Sequence, residues 1–247
     1  MTLLPSEPPR KKRKLPSLDD SFSSDSRPSD RPELHQGRKR TQPHLEGQWA
    51  AHIYLEFEME PLLRRTIQQA ISTQQRSNLQ NVLHSFFDRA EPDNGSTTAH
   101  QSLHVSLTRP LYLQTNQKAD LRTAVAKVAS LFPGFSAKYA SFGMLENDEK
   151  TRRFLAIEIG QGYEQLKNLV RELDFELELL RLPVYYENPR FHTSIAWTTP
   201  ESGHFSSSEL EQLDKAFGKN LRLDELWIGE LVLKIGKDVH RYPLSAR

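Results

Sequence analysis

Cysteine is absent from the chain. That excludes disulfides, thiol nucleophiles and Cys-ligated zinc, and a chain without disulfides suits a reducing compartment. Long apolar runs are also missing: none reaches the roughly 18 residues that would span a bilayer. The N-terminus lacks the basic, apolar and small-residue order of a secretory signal, so the sequence predicts a soluble, intracellular protein with no membrane partner. A net charge of one sign is lacking too, because 33 Lys and Arg stand against 32 Asp and Glu. No Gly-x-Ser-x-Gly elbow is present, which argues against a Ser-His-Asp hydrolase of the nucleophile-elbow type.

What is present begins with material for a core. The 247 residues are 36% hydrophobic, enough for one substantial core or two joined lobes with a tail. The tail is residues 1–46. It holds ten of the basic and seven of the acidic residues, many Pro and Ser, and Phe22 as its only aromatic, a composition that predicts disorder. Within it, Pro9-Arg10-Lys11-Lys12-Arg13-Lys14 is a compact basic run of the kind read by a nuclear import receptor, and Arg38-Lys39-Arg40 is a smaller one. The remaining residues, 47–247, are slightly acidic. Such a domain cannot coat a duplex by charge alone, so any nucleic acid must be gripped locally, a few nucleotides at a time.

From Gly47 the pattern predicts ordered structure. Ile53, Leu55 and Phe57 alternate with Tyr54 and Glu56, predicting a strand over 49–57. Residues 61–87 read as one broken helix or two, with Leu62, Ile67, Ile71, Leu79, Val82, Leu83 and Phe86 as the apolar stripe. The segment 91–98 reads as a loop, 120–131 as a helix ended by Pro133-Gly134, and 135–145 with 152–159 as a hairpin turning at 146–149. A helix over 163–180, a shorter one over 207–217 capped by Ser206 or Ser207, and strands over 221–228, 230–235 and 239–242 complete the pattern. This mixture predicts an α/β (α+β) fold of two pseudo-symmetric lobes. Each lobe is an antiparallel sheet with helices outside, and a cleft lies between them.

Two of the strands share one pattern: Leu103-His104-Val105-Ser106-Leu107 and Phe191-His192-Thr193-Ser194-Ile195. Side chains alternate faces along a strand, so each segment places its His and Ser together on one face and its apolar residues on the other. His-x-Ser also occurs at His100-Gln101-Ser102, which follows a polar loop, and at His204-Phe205-Ser206, which lacks flanking apolar alternation. For one such histidine a structural role is the better account; duplication in two credible strands reverses that preference. Thr193 is polar where a core residue is expected and Ala196 follows on the polar face, which predicts a second strand that is only partly buried. A metal site from His100 and His104 is disfavoured, because on a strand they stand about 13 Å apart at roughly 3.3 Å per residue and no carboxylate is spaced to complete a ligand set. No metal or cofactor is expected.

Two histidines that titrate near neutrality can act as base and acid under the same conditions. The base takes the proton of a ribose 2′-hydroxyl, the oxygen attacks the adjacent phosphorus in line, and the acid protonates the departing 5′-oxygen. A 2′,3′-cyclic phosphate results, without a metal. The serine hydroxyls are placed to donate to the non-bridging oxygens.

These paired motifs resemble the signature of the 2H phosphoesterases. More narrowly, Gly47 to Tyr54, Tyr186 to Trp197 and Leu231 to Leu244 resemble the U6 snRNA phosphodiesterase branch, and the resemblance covers about residues 47–247. It implies a nuclear 3′-to-5′ RNA exonuclease that trims oligouridine from the 3′ end of U6 snRNA, with His104, Ser106, His192 and Ser194 as catalytic tetrad. It also implies that Tyr186 stacks on the terminal base; alternation of faces predicts that neighbouring Tyr185 turns into the core. Arg109 and Arg190 are candidates for the RNA path, and a monomer is expected. The competing readings are a 2′,3′-cyclic phosphodiesterase or an RNA-end ligase of the same fold, or an RNA-binding module without turnover.

Overall fold

A computed structural model describes residues 47–77, 82–87, 102–203 and 205–246. Both basic runs, the loop at 91–98, His100 and His204 lie outside the described residues. The chain begins with β1 (Gln48–Glu58), in which Ile53, Leu55 and Phe57 are buried while His52, Tyr54 and Glu56 turn to the other face. Helix α1 (Pro61–Ser77) starts on a proline, whose missing N–H would have no partner in the first turn anyway. It buries Leu63, Ile67, Ala70 and Ile71, but Leu62 lies outside the stripe and is exposed. After it come β2 (His84–Ser85), β3 (Ser102–Ser106), β4 (Leu111–Gln114) and α2 (Gln117–Leu131). The hairpin of β5 (Phe135–Glu146) and β6 (Arg153–Gln161) turns on Asn147, whose carboxamide oxygen accepts from the N–H groups of Thr151 and Arg152.

Gly162, at φ +90°, opens α3 (Tyr163–Leu179), and a Cβ there would meet that of Ala137 at 2.8 Å. Only glycine suits both demands. The chain continues through β7 (His192–Thr198), α4 (Ser207–Leu221), β8 (Leu226–Ile228), β9 (Glu230–Ile235) and β10 (Asp238–Pro243). Ser206 and Glu209 form a reciprocal capping box at the start of α4.

The strands form two five-stranded antiparallel sheets. The first runs β10-β9-β1-β3, with β4 also paired to β1, and the second runs β2-β7-β6-β5-β8. Helix α2 packs on β4, β9 and β10 and against α3, whereas α4 packs on β5 and against α1, which touches β7. The α+β architecture of two sheets with helices outside is therefore as expected. The lobes are not consecutive halves, however, because the last two strands complete the first sheet and β2 completes the second.

Two local expectations are corrected. Residues 84–85 form a strand rather than helix: β2 pairs with β7, and Phe86 N–H donates to Ile195 O. Main-chain groups of β7 that need partners outweigh a weak helical period. Likewise Leu221 ends α4 and only 226–228 are extended, with the Arg222 and Leu223 N–H groups closing that helix end.

Candidate active site

The two sheets meet where β3 packs against β7. On β3, Leu103 and Val105 are buried, as is Leu107 just beyond it, while His104 is exposed and Ser106 partly so. On β7, Thr193 and Ile195 are buried and His192 and Ser194 are half-buried. The strand is better buried than its polar residue suggests, because the Thr193 hydroxyl has a partner at 2.8 Å in the Tyr139 phenol. Ala196 is buried as well. Ser194 pairs with Ala156 but Ala196 with Leu155, so Ile195 is the extra residue of a bulge that turns Ala196 away from the Ser194 face.

A cleft of about 920 Å³ opens here, with Ser106, His192 and Ser194 in its wall. His104 stands beside it, its ring centroid 5.9 Å from that of Tyr54 and 6.4 Å from that of His52. These β1 neighbours were not singled out from sequence; the signal was the polar phase of the alternation His52, Tyr54, Glu56. The register extends it, placing Glu56 opposite His104 and Glu158 opposite His192. Each of these carboxylates is held by an arginine, Arg241 for Glu56 and Arg190 for Glu158. Ser102, from one of the discounted His-x-Ser triplets, donates to Glu56 at 2.8 Å, and Ser206 from the other is the α4 cap.

Desolvation governs the titration of the histidines. His104 keeps accessible surface but stands among the rings of His52 and Tyr54, and this crowding is the main reason that it lies below its ordinary value; the charge of His192 adds to this and Glu56 opposes it. His192 is also lowered mainly by burial, against the pull of the Arg190 carbonyl and Glu158. His52 is pushed down to about 4 by burial, His104 and Lys234. The site therefore holds neutral imidazoles near pH 7, each ready to accept a proton.

At the other end of the cleft, Tyr186 is 42% exposed and Tyr185 only 7%. They divide as expected, although the segment is a loop and not a strand. Tyr185 packs on Phe191 at 6.0 Å and its N–H donates to Asp174. The Tyr186 hydroxyl donates to Asp148 at 3.1 Å. The two arginines proposed for the RNA path both line the cleft, but each is engaged with a carboxylate, Arg109 with Asp148 at 3.2 Å and Arg190 with Glu158. Among the described residues no group of three or more His, Asp or Glu is arranged to hold a metal ion, and no helix is long and apolar enough to cross a membrane.

A family model, HVSL, described as an uncharacterised conserved protein, matches residues 13–243; the chain carries those four residues at 104–107. The chain is similar to U6 snRNA phosphodiesterase 1 of Mus musculus, 25% identical over 214 residues, covering 86% of this chain and 72% of that protein. It is 27% identical over 170 residues to the Homo sapiens protein of the same name, covering 69% of this chain and 58% of that one. In structure it is similar to Usb1 of Kluyveromyces marxianus, solved alone and with uridine monophosphate, at TM-scores of 0.54 and 0.52. Identity there is 15%, covering 79% of this chain and 98% of that one.

Proposed function

The chain belongs to the HVSL family, and on that footing we propose that it is a metal-independent RNA phosphodiesterase that shortens the 3′ end of U6 snRNA. One observation carries the reading: two His-x-Ser strands from different sheets meet at one cleft. One histidine takes the 2′-hydroxyl proton of the penultimate ribose. That oxygen bonds to phosphorus, the bond to the 5′-oxygen of the terminal nucleoside breaks, and the second histidine, in its protonated form, gives that oxygen a proton. Ser106 and Ser194 donate to the non-bridging oxygens, where one such donor is worth about 10²–10³ in rate. The product carries a 2′,3′-cyclic phosphate.

Tyr186 receives the terminal base on its ring, a contact worth about 1–3 kcal/mol. The naming of the mammalian relatives and the uridine monophosphate in the Usb1 structure support a uridine-ended RNA. A nuclear site of action, reached by import through Arg10 to Lys14, accords with that substrate. A 2′,3′-cyclic phosphodiesterase would use the same four side chains in reverse roles.

The test is incubation with a 5′-labelled RNA ending in several uridines, in chelator, with product ends identified by mass. A ladder shortening from the 3′ end with cyclic phosphate or phosphate termini is expected. Arrest by chelator overturns the two-histidine mechanism. Opening of a preformed cyclic phosphate without shortening selects the alternative.

A further inference from the structure

Arg190 sits two residues before His192, and its main chain and side chain do different things. Its carbonyl lies 2.6 Å from His192 Nδ1. A carbonyl only accepts, so Nδ1 carries the proton in the neutral ring and the Nε2 lone pair is left free. The guanidinium meanwhile grips Glu158 through Nε and Nη2, and Nη1 donates to the Met144 carbonyl at 3.2 Å. The pair thus ties the segment before β7 to β6 and β5.

The sheet is built to receive it. A Cβ on Gly143 would collide with Glu158 Oε1 and lie 3.0 Å from Arg190 Nη2. Gly143 pairs with Ala156, which pairs with Ser194, so a row of small residues lies alongside the active strand. A bidentate guanidinium–carboxylate pair fixes angle as well as distance, which a lysine at the same place would not do.

We propose that Arg190 is a positioning residue: clamped by Glu158 and Met144 over Gly143, it holds its own carbonyl against His192 Nδ1 and so sets the orientation and tautomer of that ring. The competing role, a phosphate contact in the RNA path, leaves Glu158 and Gly143 without a reason. The charges that face His192 are Glu158 from β6, Arg190 from the preceding loop and His104 from β3, with Asp214 of α4 near Glu158. The Arg190 carbonyl and Glu158 raise the ring's proton affinity and the Arg190 charge lowers it. Neutralising Glu158 therefore lowers the ring's pKa, whereas neutralising Arg190 removes a repulsive charge and loosens a carbonyl contact, two effects of opposite sign.

The kcat part of the test rests on the phosphodiesterase reading; the spectroscopic part does not. In the full-length protein, nitrogen and carbon NMR of the His192 ring is recorded against pH for wild type, Arg190→Gln, Glu158→Gln and Gly143→Ala. The expected wild-type ring is the Nδ1-protonated tautomer. Arg190→Gln and Gly143→Ala mix the tautomers, the second without removing a charge, while Glu158→Gln moves the pKa down. Turnover should fall about 10- to 100-fold in the Arg190 and Glu158 variants with KM little changed, as misplacement of a reacting group by about 1 Å does. An unchanged tautomer in all three variants, or a raised KM with kcat intact in Arg190→Gln, overturns the proposal. Loss of activity in wild type with the NMR pattern as described sinks only the functional reading.

Discussion

The Arg109 guanidinium lies 4.3 Å from the centroid of the Tyr186 ring, and both side chains bind one carboxylate, that of Asp148. Arg109 comes from the turn after β3 in the first sheet and Asp148 from the β5–β6 turn in the second, so this group joins the lobes in the wall of the cleft. The Tyr185 ring also stands against Tyr186, with centroids 5.0 Å apart and planes at 66°, so the tyrosine is held by a cation and a second ring. Arg109 Nε is buried and without a hydrogen-bond partner among the described residues.

Tyr186→Ala should weaken binding of a uridine-ended RNA by about 1–3 kcal/mol, the cost of one lost base–aromatic contact. Tyr186→Phe should keep most of that affinity, since the ring stays and only the link to Asp148 goes. Equilibrium binding of an RNA with a 2′-deoxy penultimate sugar, which lacks the attacking hydroxyl, measures both. Equal loss in the two variants would assign the contact to the phenol hydroxyl instead.

His104→Ala and His192→Ala should each lower kcat by about 10²–10⁴-fold, the usual worth of a proton transfer. Both side chains lie on the polar faces of their strands and not in the core, so melting temperatures should stay close to wild type. Single-turnover rates together with thermal melts check this; a variant that keeps turnover within a few-fold of wild type contradicts a shared cleft.

Because both histidines titrate below their ordinary value, the pH profile of kcat/KM, which reports the free enzyme, should have its optimum on the acid side of about 6.5. The two limbs belong to the coupled pair and not to either ring alone. An optimum above pH 8 would be incompatible with neutral, desolvated imidazoles.

His52 makes stability depend on pH. Its folded-state pKa of about 4 lies below the ordinary histidine value of about 6.5, so the unfolded chain binds more protons between those values and stability is lost as pH falls from about 6.5 toward 4. His52→Gln should flatten the fall of Tm over that window. A wild-type Tm that does not change between pH 6.5 and 4.5 would contradict the burial of this ring.

Tyr139→Phe leaves the buried Thr193 hydroxyl unpaired and should cost about 1–3 kcal/mol in urea unfolding, while adding Thr193→Val should recover part of the loss. Simple additivity in the double mutant would mean that the hydroxyls do not bond.

The faces of the strands that carry the site are legible in the order of residues. Burial on one side of β1, β3 and β7 imposes a period of two that is visible without any partner strand, so His104, Ser106, His192 and Ser194 could be placed on one side from the order of residues alone. The exposure of Tyr186 beside buried Tyr185 was also foreseen. Strand pairing is not legible there, because main-chain hydrogen bonds carry no residue identity: the folded chain brings β9 and β10 back beside β1, and β2 extends β7 from a segment with helical spacing. The same holds for the Ile195 bulge, the Thr193–Tyr139 bond and the Glu158–Arg190 clamp over Gly143. Each joins residues far apart in the chain, and their closeness follows from packing that local pattern does not record.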